Sequence, residues 1–140
     1  MYYVYVAGYI LLAAAMQLFT GDFPVSFLAF PLNIIFAAIW LFLLWILYKE
    51  YNNLRITRFL GSSKASVLSI SLFIGGCLII GLFPQLSEPE AEMRKGISAS
   101  LGCYNFMTSW IFISILLLLL SNLALFLSQP FLALFFLIFL

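Results

Sequence analysis

Side chains that do chemistry are scarce in this sequence, and the scarcity is informative. The chain of 140 residues holds two cysteines and no histidine. Histidine is the usual general base near neutral pH, the commonest zinc ligand and the usual axial ligand of haem, so its absence removes the familiar forms of all three chemistries. Cys77 and Cys103 stand apart and neither belongs to a C-x-x-C pair; they read as a small packing residue within an apolar run and a bystander near a surface. Phosphate-cradling glycine loops, dinucleotide fingerprints and the H-E-x-x-H pattern are all missing. These absences predict a protein that is not an enzyme, with no catalytic residue, no metal site and no cofactor bound by this chain alone.

The remaining polar side chains have the look of structural devices. Gln17, Asn33, Asn122 and several serines interrupt otherwise apolar runs. Asn33 and Asn122 are expected to bond across helices, each contributing under about 2 kcal/mol; a polar spot facing a ligand or partner is the alternative. Ser71 stands four residues before Gly75, and Cys77 four before Gly81. Small residues at that spacing let two membrane helices approach closely. Ser71/Gly75 and Cys77/Gly81 form two short patches, expected to pack within the chain at Gly75 and to serve as a docking face for a partner at Gly81.

Such residues need a scaffold, and composition says which. The chain is 66% hydrophobic and 8% charged, with a mean hydropathy of +1.19, whereas a soluble domain carries about a quarter charged residues. Its solvent is therefore lipid. The expected fold is all-α, a polytopic membrane helical bundle forming a single membrane domain over 1–140. A bilayer core takes about 20 helical residues to cross, which places four spans near 2–19, 27–48, 66–83 and 107–127. No Lys or Arg precedes the first span and no small-residue cleavage pattern follows it, so it reads as a span and not a removable signal. Thr108 and Ser109 are positioned to cap the fourth helix, with Tyr104 and Trp110 at headgroup depth. Ser128-Gln129-Pro130 is expected to interrupt that helix. The tail over 131–140, "FLALFFLIFL", is too short to cross a bilayer; it reads as a fifth helix cut short, the alternative being a helix that continues past a kink at Pro130 or a strip lying on the bundle.

Charge sets the orientation. Lys49, Arg55, Arg58 and Lys64 face only Glu50 in the connection between the second and third spans. Arg94 and Lys95 share the next connection with Glu88, Glu90 and Glu92, and the first connection has Asp22 alone. By the positive-inside rule the middle connection is cytoplasmic, as are both termini, in a multi-pass protein of the cytoplasmic (inner) membrane. The four cations are too few and too scattered for a nucleic-acid surface. No charge falls within a span, which argues against a pump or transporter made of this chain alone.

Three stretches carry a resemblance. "FLAFPLN" at residues 27–33, "GLFPQ" at 81–85, and the run from Leu101 to Phe112 that contains "MTSWIF" resemble, in that order, the N-terminal membrane part of ResB/CcsB-type (System II) cytochrome c biogenesis proteins. The likeness spans most of residues 10–127 and is nearest to the compact Bacteroidetes-like form, in which this part precedes a CcsA-type domain. It implies a bacterial inner-membrane component of haem delivery and ligation to apocytochrome c, acting by packing with a CcsA-type partner. Haem enters only through that partner. The family's histidine-containing segment after the fourth span has no counterpart here, so no haem ligand carries over. Outside the family reading stands a small structural or accessory subunit of another membrane complex, or a truncated product without activity of its own.

The orientation is testable directly. A reporter fused after Ser62 is expected to read as cytoplasmic and one fused after Glu90 as external; reversed signals would overturn the assignment built on Lys49, Arg55, Arg58 and Lys64.

Overall fold

The computed structural model describes residues 2–51, 53–87, 89–90 and 93–139, without the side chains of 25, 28, 129–136 and 139. The fold is all-helical, with no strand among the described residues. Its elements are α1 (Tyr2–Thr20), α2 (Leu32–Glu50), α3 (Arg55–Leu60), α4 (Ser63–Leu82), α5 (Ile97–Ser100) and α6 (Trp110–Phe139), with 3-10 turns at Val25–Leu28 and Cys103–Thr108. The helices α1, α2, α4 and α6 are each long and apolar enough to cross a membrane. A multi-pass membrane protein is the class that such helices define, because a spanning helix satisfies its own backbone hydrogen bonds where water is absent.

Two helices start later than hydropathy suggests. Span two was expected from residue 27, but Val25–Leu28 forms a 3-10 turn and α2 begins at Leu32, with the Pro31 carbonyl before it accepting from the Ile34 N–H at 3.2 Å. Apolarity at Phe27 to Phe30 therefore marks membrane depth and not α-helix. Proline suits the position because it lacks an N–H that the first turn could not use. Span four was expected from residue 107, yet Cys103–Thr108 is a 3-10 segment broken at Asn105, and Ser109 turns the chain into α6. At its other end, α6 runs through Ser128, Gln129 and Pro130 to Phe139 without the expected interruption. Membrane helices tolerate proline more readily than soluble ones; in the turn before Pro130 the Ser128 hydroxyl donates to the Leu125 carbonyl at 2.7 Å.

The chain divides into two compact units. One comprises residues 1–27 and 71–117, the other 28–70 and 118–140. In the second unit, the buried groups include Leu44, Thr57, Phe59, Ala65, Ser69 and Leu125. The Asn122 side chain is buried and donates from Nδ2 to the Leu60 carbonyl at the end of α3. Trp40 Nε1 donates to Ser121 Oγ at 3.0 Å. Ser62 starts α4, accepting from the Ala65 N–H at 3.4 Å and donating to the Phe59 carbonyl at 2.6 Å. Of the two asparagines expected to act as helix-to-helix glue, Asn122 does so. Asn33 instead sits exposed in the first turn of α2, its Oδ1 accepting from the next N–H, that of Ile34.

In the first unit the apolar core includes Val6, Ala13, Phe106, Phe112 and Ile115. Tyr9 donates its hydroxyl to the Ser114 carbonyl at 3.0 Å, tying α1 to α6. The close glycine contact of α4 lies here, and it is not at Gly75. A Cβ built on Gly75 or Gly81 meets nothing within 4 Å, whereas one on Gly76 comes to 3.3 Å of the Phe106 ring and 3.4 Å of the Phe112 ring. Ser71, Cys77 and Gly81 are exposed. Four-residue spacing could not say which way the small residues turn, and one residue around the helix is a rotation of about 100°.

Leucine at Gly76 is therefore expected to lower stability in detergent by about 1–3 kcal/mol, the usual cost of overpacking, while leucine at Gly75 leaves it unchanged. Thermal unfolding of the two purified variants checks the pair; equal behaviour would contradict the α4 contact.

Candidate functional site

The polar groups of the first unit converge on one glutamine. Gln17 lies in the last turns of α1, where the helix is still apolar, and is 3% exposed. A primary amide buried at such a place must satisfy both its donor and its acceptor, since each unmade bond costs about 1–3 kcal/mol. Gln17 Oε1 accepts from the backbone N–H of Trp110 at 2.8 Å, and its Nε2 donates to Asp22 Oδ1 at 2.7 Å. The first contact supplies a partner to one of the N–H groups that the start of any helix leaves unpaired. Ser109 supplies another: its Oγ accepts from the Phe112 N–H at 3.2 Å while donating to the Phe106 carbonyl at 2.7 Å. Of the two expected caps Ser109 acts as one; Thr108 turns back to donate to the Asn105 carbonyl.

Local chain chemistry brings these groups together. Gly21, at φ +74°, ends α1 with its N–H on the Gln17 carbonyl, the left-handed glycine cap common at helix ends. That reversal swings Asp22 back beside Gln17. Phe23 then donates its N–H to the Thr108 carbonyl at 2.8 Å, and Asn105 Nδ2 reaches Asp22 Oδ2 at 3.4 Å. Gly102, at φ +72°, passes so close that a Cβ there would lie 2.8 Å from Gln17 Nε2 and 3.2 Å from Ser109 Cβ. Gln85 acts as a second brace: its Nε2 donates to the Cys103 carbonyl at 3.1 Å and its Oε1 accepts from the Phe106 N–H at 3.0 Å. The Leu86 N–H completes the pairing on the Tyr104 carbonyl at 2.8 Å.

A cleft of about 290 Å³ opens beside this network, lined by Gln17, Leu18, Gly21 and Asp22 on one side and by Ala99, Ser100, Gly102, Tyr104 and Asn105 on the other. Tyr104 is fixed by an edge-on contact with Phe83 at 5.6 Å, and the Arg94 guanidinium stands 5.6 Å over its ring. Trp110 meets Phe23 edge-on at 4.9 Å, and its buried indole N–H has no acceptor among the described residues. Burial pushes the Cys103 thiol above its ordinary range, which disfavours the thiolate form that nucleophilic or redox work requires. Cys77 and Cys103 are both free. Among the described residues no three His, Cys, Asp or Glu side chains gather as a metal site. The arrangement can hold a polar or charged group.

Most of this site was hidden in the sequence. Gln17 was visible only as one mild polar residue among several, and Gly102, Gln85 and Asn105 carried no motif. The usable signal was a lone glutamine five residues before a lone aspartate in an otherwise uncharged stretch. The topology cations lie elsewhere: Lys49 sits over the Trp45 ring at 5.1 Å, and Arg58 donates to the Asn53 carbonyl at 3.0 Å, while Arg55 opens α3 and Lys64 the first turn of α4. Neither a family model, nor a curated protein, nor a solved structure matches the chain.

The Gln17–Gly102 contact gives a coupled test. Gln17→Ala and Gly102→Ala are each expected to cost about 1–3 kcal/mol in detergent unfolding. The double variant should cost less than the two together, because removing the amide removes the closest clash and leaves the left-handed backbone strain and the tight approach to Ser109 Cβ. Simple additivity would show that the two residues do not touch.

Proposed function

We propose that this chain is a non-catalytic inner-membrane component of cytochrome c biogenesis, the ResB-like part of a haem delivery and ligation assembly, working by packing against a CcsA-type partner. One observation supports the reading above others. Two of the three family-like stretches lie far apart in sequence, yet they hydrogen-bond to each other: Gln85, which ends "GLFPQ", braces Cys103 and Phe106, and Leu86 pairs with Tyr104. Residues that resemble a family in separate segments thus serve one shared structural purpose. In the proposed orientation this joined end faces outward, where apocytochrome c would be met, and the middle connection with Lys49, Arg55, Arg58 and Lys64 is cytoplasmic. The exposed Cys77 and Gly81, which share one side of α4, are then available to the partner.

Co-expression with a CcsA-type protein tests this. The tagged chain is expected to retain that protein through detergent purification, and Gly81→Leu is expected to weaken retention without lowering the chain's own unfolding temperature. Purified alone, the chain is expected to carry no haem, since no imidazole is present to ligate it. Failure to retain the CcsA-type protein would return the chain to the alternative, an accessory subunit of a different membrane complex.

A further inference from the structure

Among the described residues, the cleft at the end of α1 has one charged lining residue, and it is acidic. Asp22 contributes a carboxylate whose described donors are neutral amides, Gln17 Nε2 at 2.7 Å and Asn105 Nδ2 at 3.4 Å. Neutral donors hold a carboxylate in place without cancelling its charge. The last turn of α1 ends at the same point, and the C-terminus of a 19-residue helix adds partial negative charge. Both effects favour a cation.

Its chemical class follows from the ligands offered. Calcium takes six to eight oxygens and usually several carboxylates, and the cleft supplies one. Quaternary ammonium groups are held by cages of several aromatic rings, and the cleft has one ring, that of Tyr104. A primary ammonium asks for something different: a counter-charge and a few acceptors for its three N–H bonds. Asp22, Asn105, Ser100 and Tyr104 line the cleft and carry acceptors of that kind. The cleft opens at the end of a membrane-length helix, which is headgroup depth. Arg94, seated on the ring of Tyr104, stands beside a lining residue, where the phosphodiester of the same headgroup would find its own counter-charge.

We propose that this cleft binds a primary alkylammonium group, as carried by a phosphatidylethanolamine headgroup, with Asp22 as the counter-charge. The site goes beyond the cytochrome c reading and holds whether or not a CcsA-type partner exists.

The full chain, purified in detergent micelles doped with phosphatidylethanolamine, phosphatidylcholine or phosphatidylglycerol, tests it by native mass spectrometry of retained lipid. Phosphatidylethanolamine is expected to be retained about tenfold better than either other lipid, the scale of one charge-assisted hydrogen bond. Asp22→Asn keeps an acceptor for Gln17 and removes the charge, and is expected to abolish the preference. Free ethanolamine distinguishes the source: competition at millimolar concentration means that the ammonium alone is recognised, and no competition means that the intact lipid is required. Equal retention of the three lipids by the unsubstituted chain overturns the proposal whatever the variant's stability, as does an unchanged preference in Asp22→Asn.

Discussion

A buried amide in an apolar helix is the constraint on which one end of this protein depends. Gln17 could not remain at its position unless both ends of its side chain were met, and the partners come from places that nothing else would bring together: the first N–H of α6 and the carboxylate of Asp22. The bonds themselves contribute little, since polar contacts within membranes average well under 1 kcal/mol. Leaving them unmade would cost more than making them gains. That asymmetry specifies the arrangement. It dictates the reversal at Gly21, the docking of Phe23 on Thr108, and a residue without a side chain at Gly102.

This explains which parts of the fold were legible in the sequence. Helices α1, α2, α4 and α6 announce themselves because lipid permits little besides a hydrogen-bonded helix, so apolar length translates almost directly into structure. The starts of α2 and α6 do not, since hydropathy records depth in the membrane and is blind to a 3-10 turn at the same depth. Asn33 and Asn122 look alike in sequence, yet one lies in a first turn beside its own backbone and the other meets Leu60, a contact 62 residues away. Gly75 and Gly76 are neighbours, and only the chain's three-dimensional path decides which of them faces Phe106 and Phe112. The candidate site was obscure for the same reason. Its members are individually ordinary, and their meaning lies in long-range pairing.

The division of labour along the molecule bears on function. Polar specificity in the first unit is gathered where α1 ends and α6 begins, whereas the flanks of the long helices are apolar and largely unburied, with Leu44 the one fully buried side chain of α2. The polar groups of the first unit are thus available to a soluble or zwitterionic ligand, and the apolar helix flanks to lipid or membrane-embedded neighbours.

The length of α6 has a different kind of consequence. Thirty residues at a rise of about 1.5 Å make a rod of about 45 Å, against a hydrocarbon layer of about 30 Å. Its final stretch is as apolar as its middle, so the surplus cannot simply emerge into water. The helix must lean, the bilayer must thicken around it, or neighbouring protein must cover it, and each accommodation costs fractions of a kcal/mol per ångström of mismatch. Membrane thickness thereby becomes a variable of the fold itself, favouring sterically thick bilayers and close neighbours over thin, protein-poor ones.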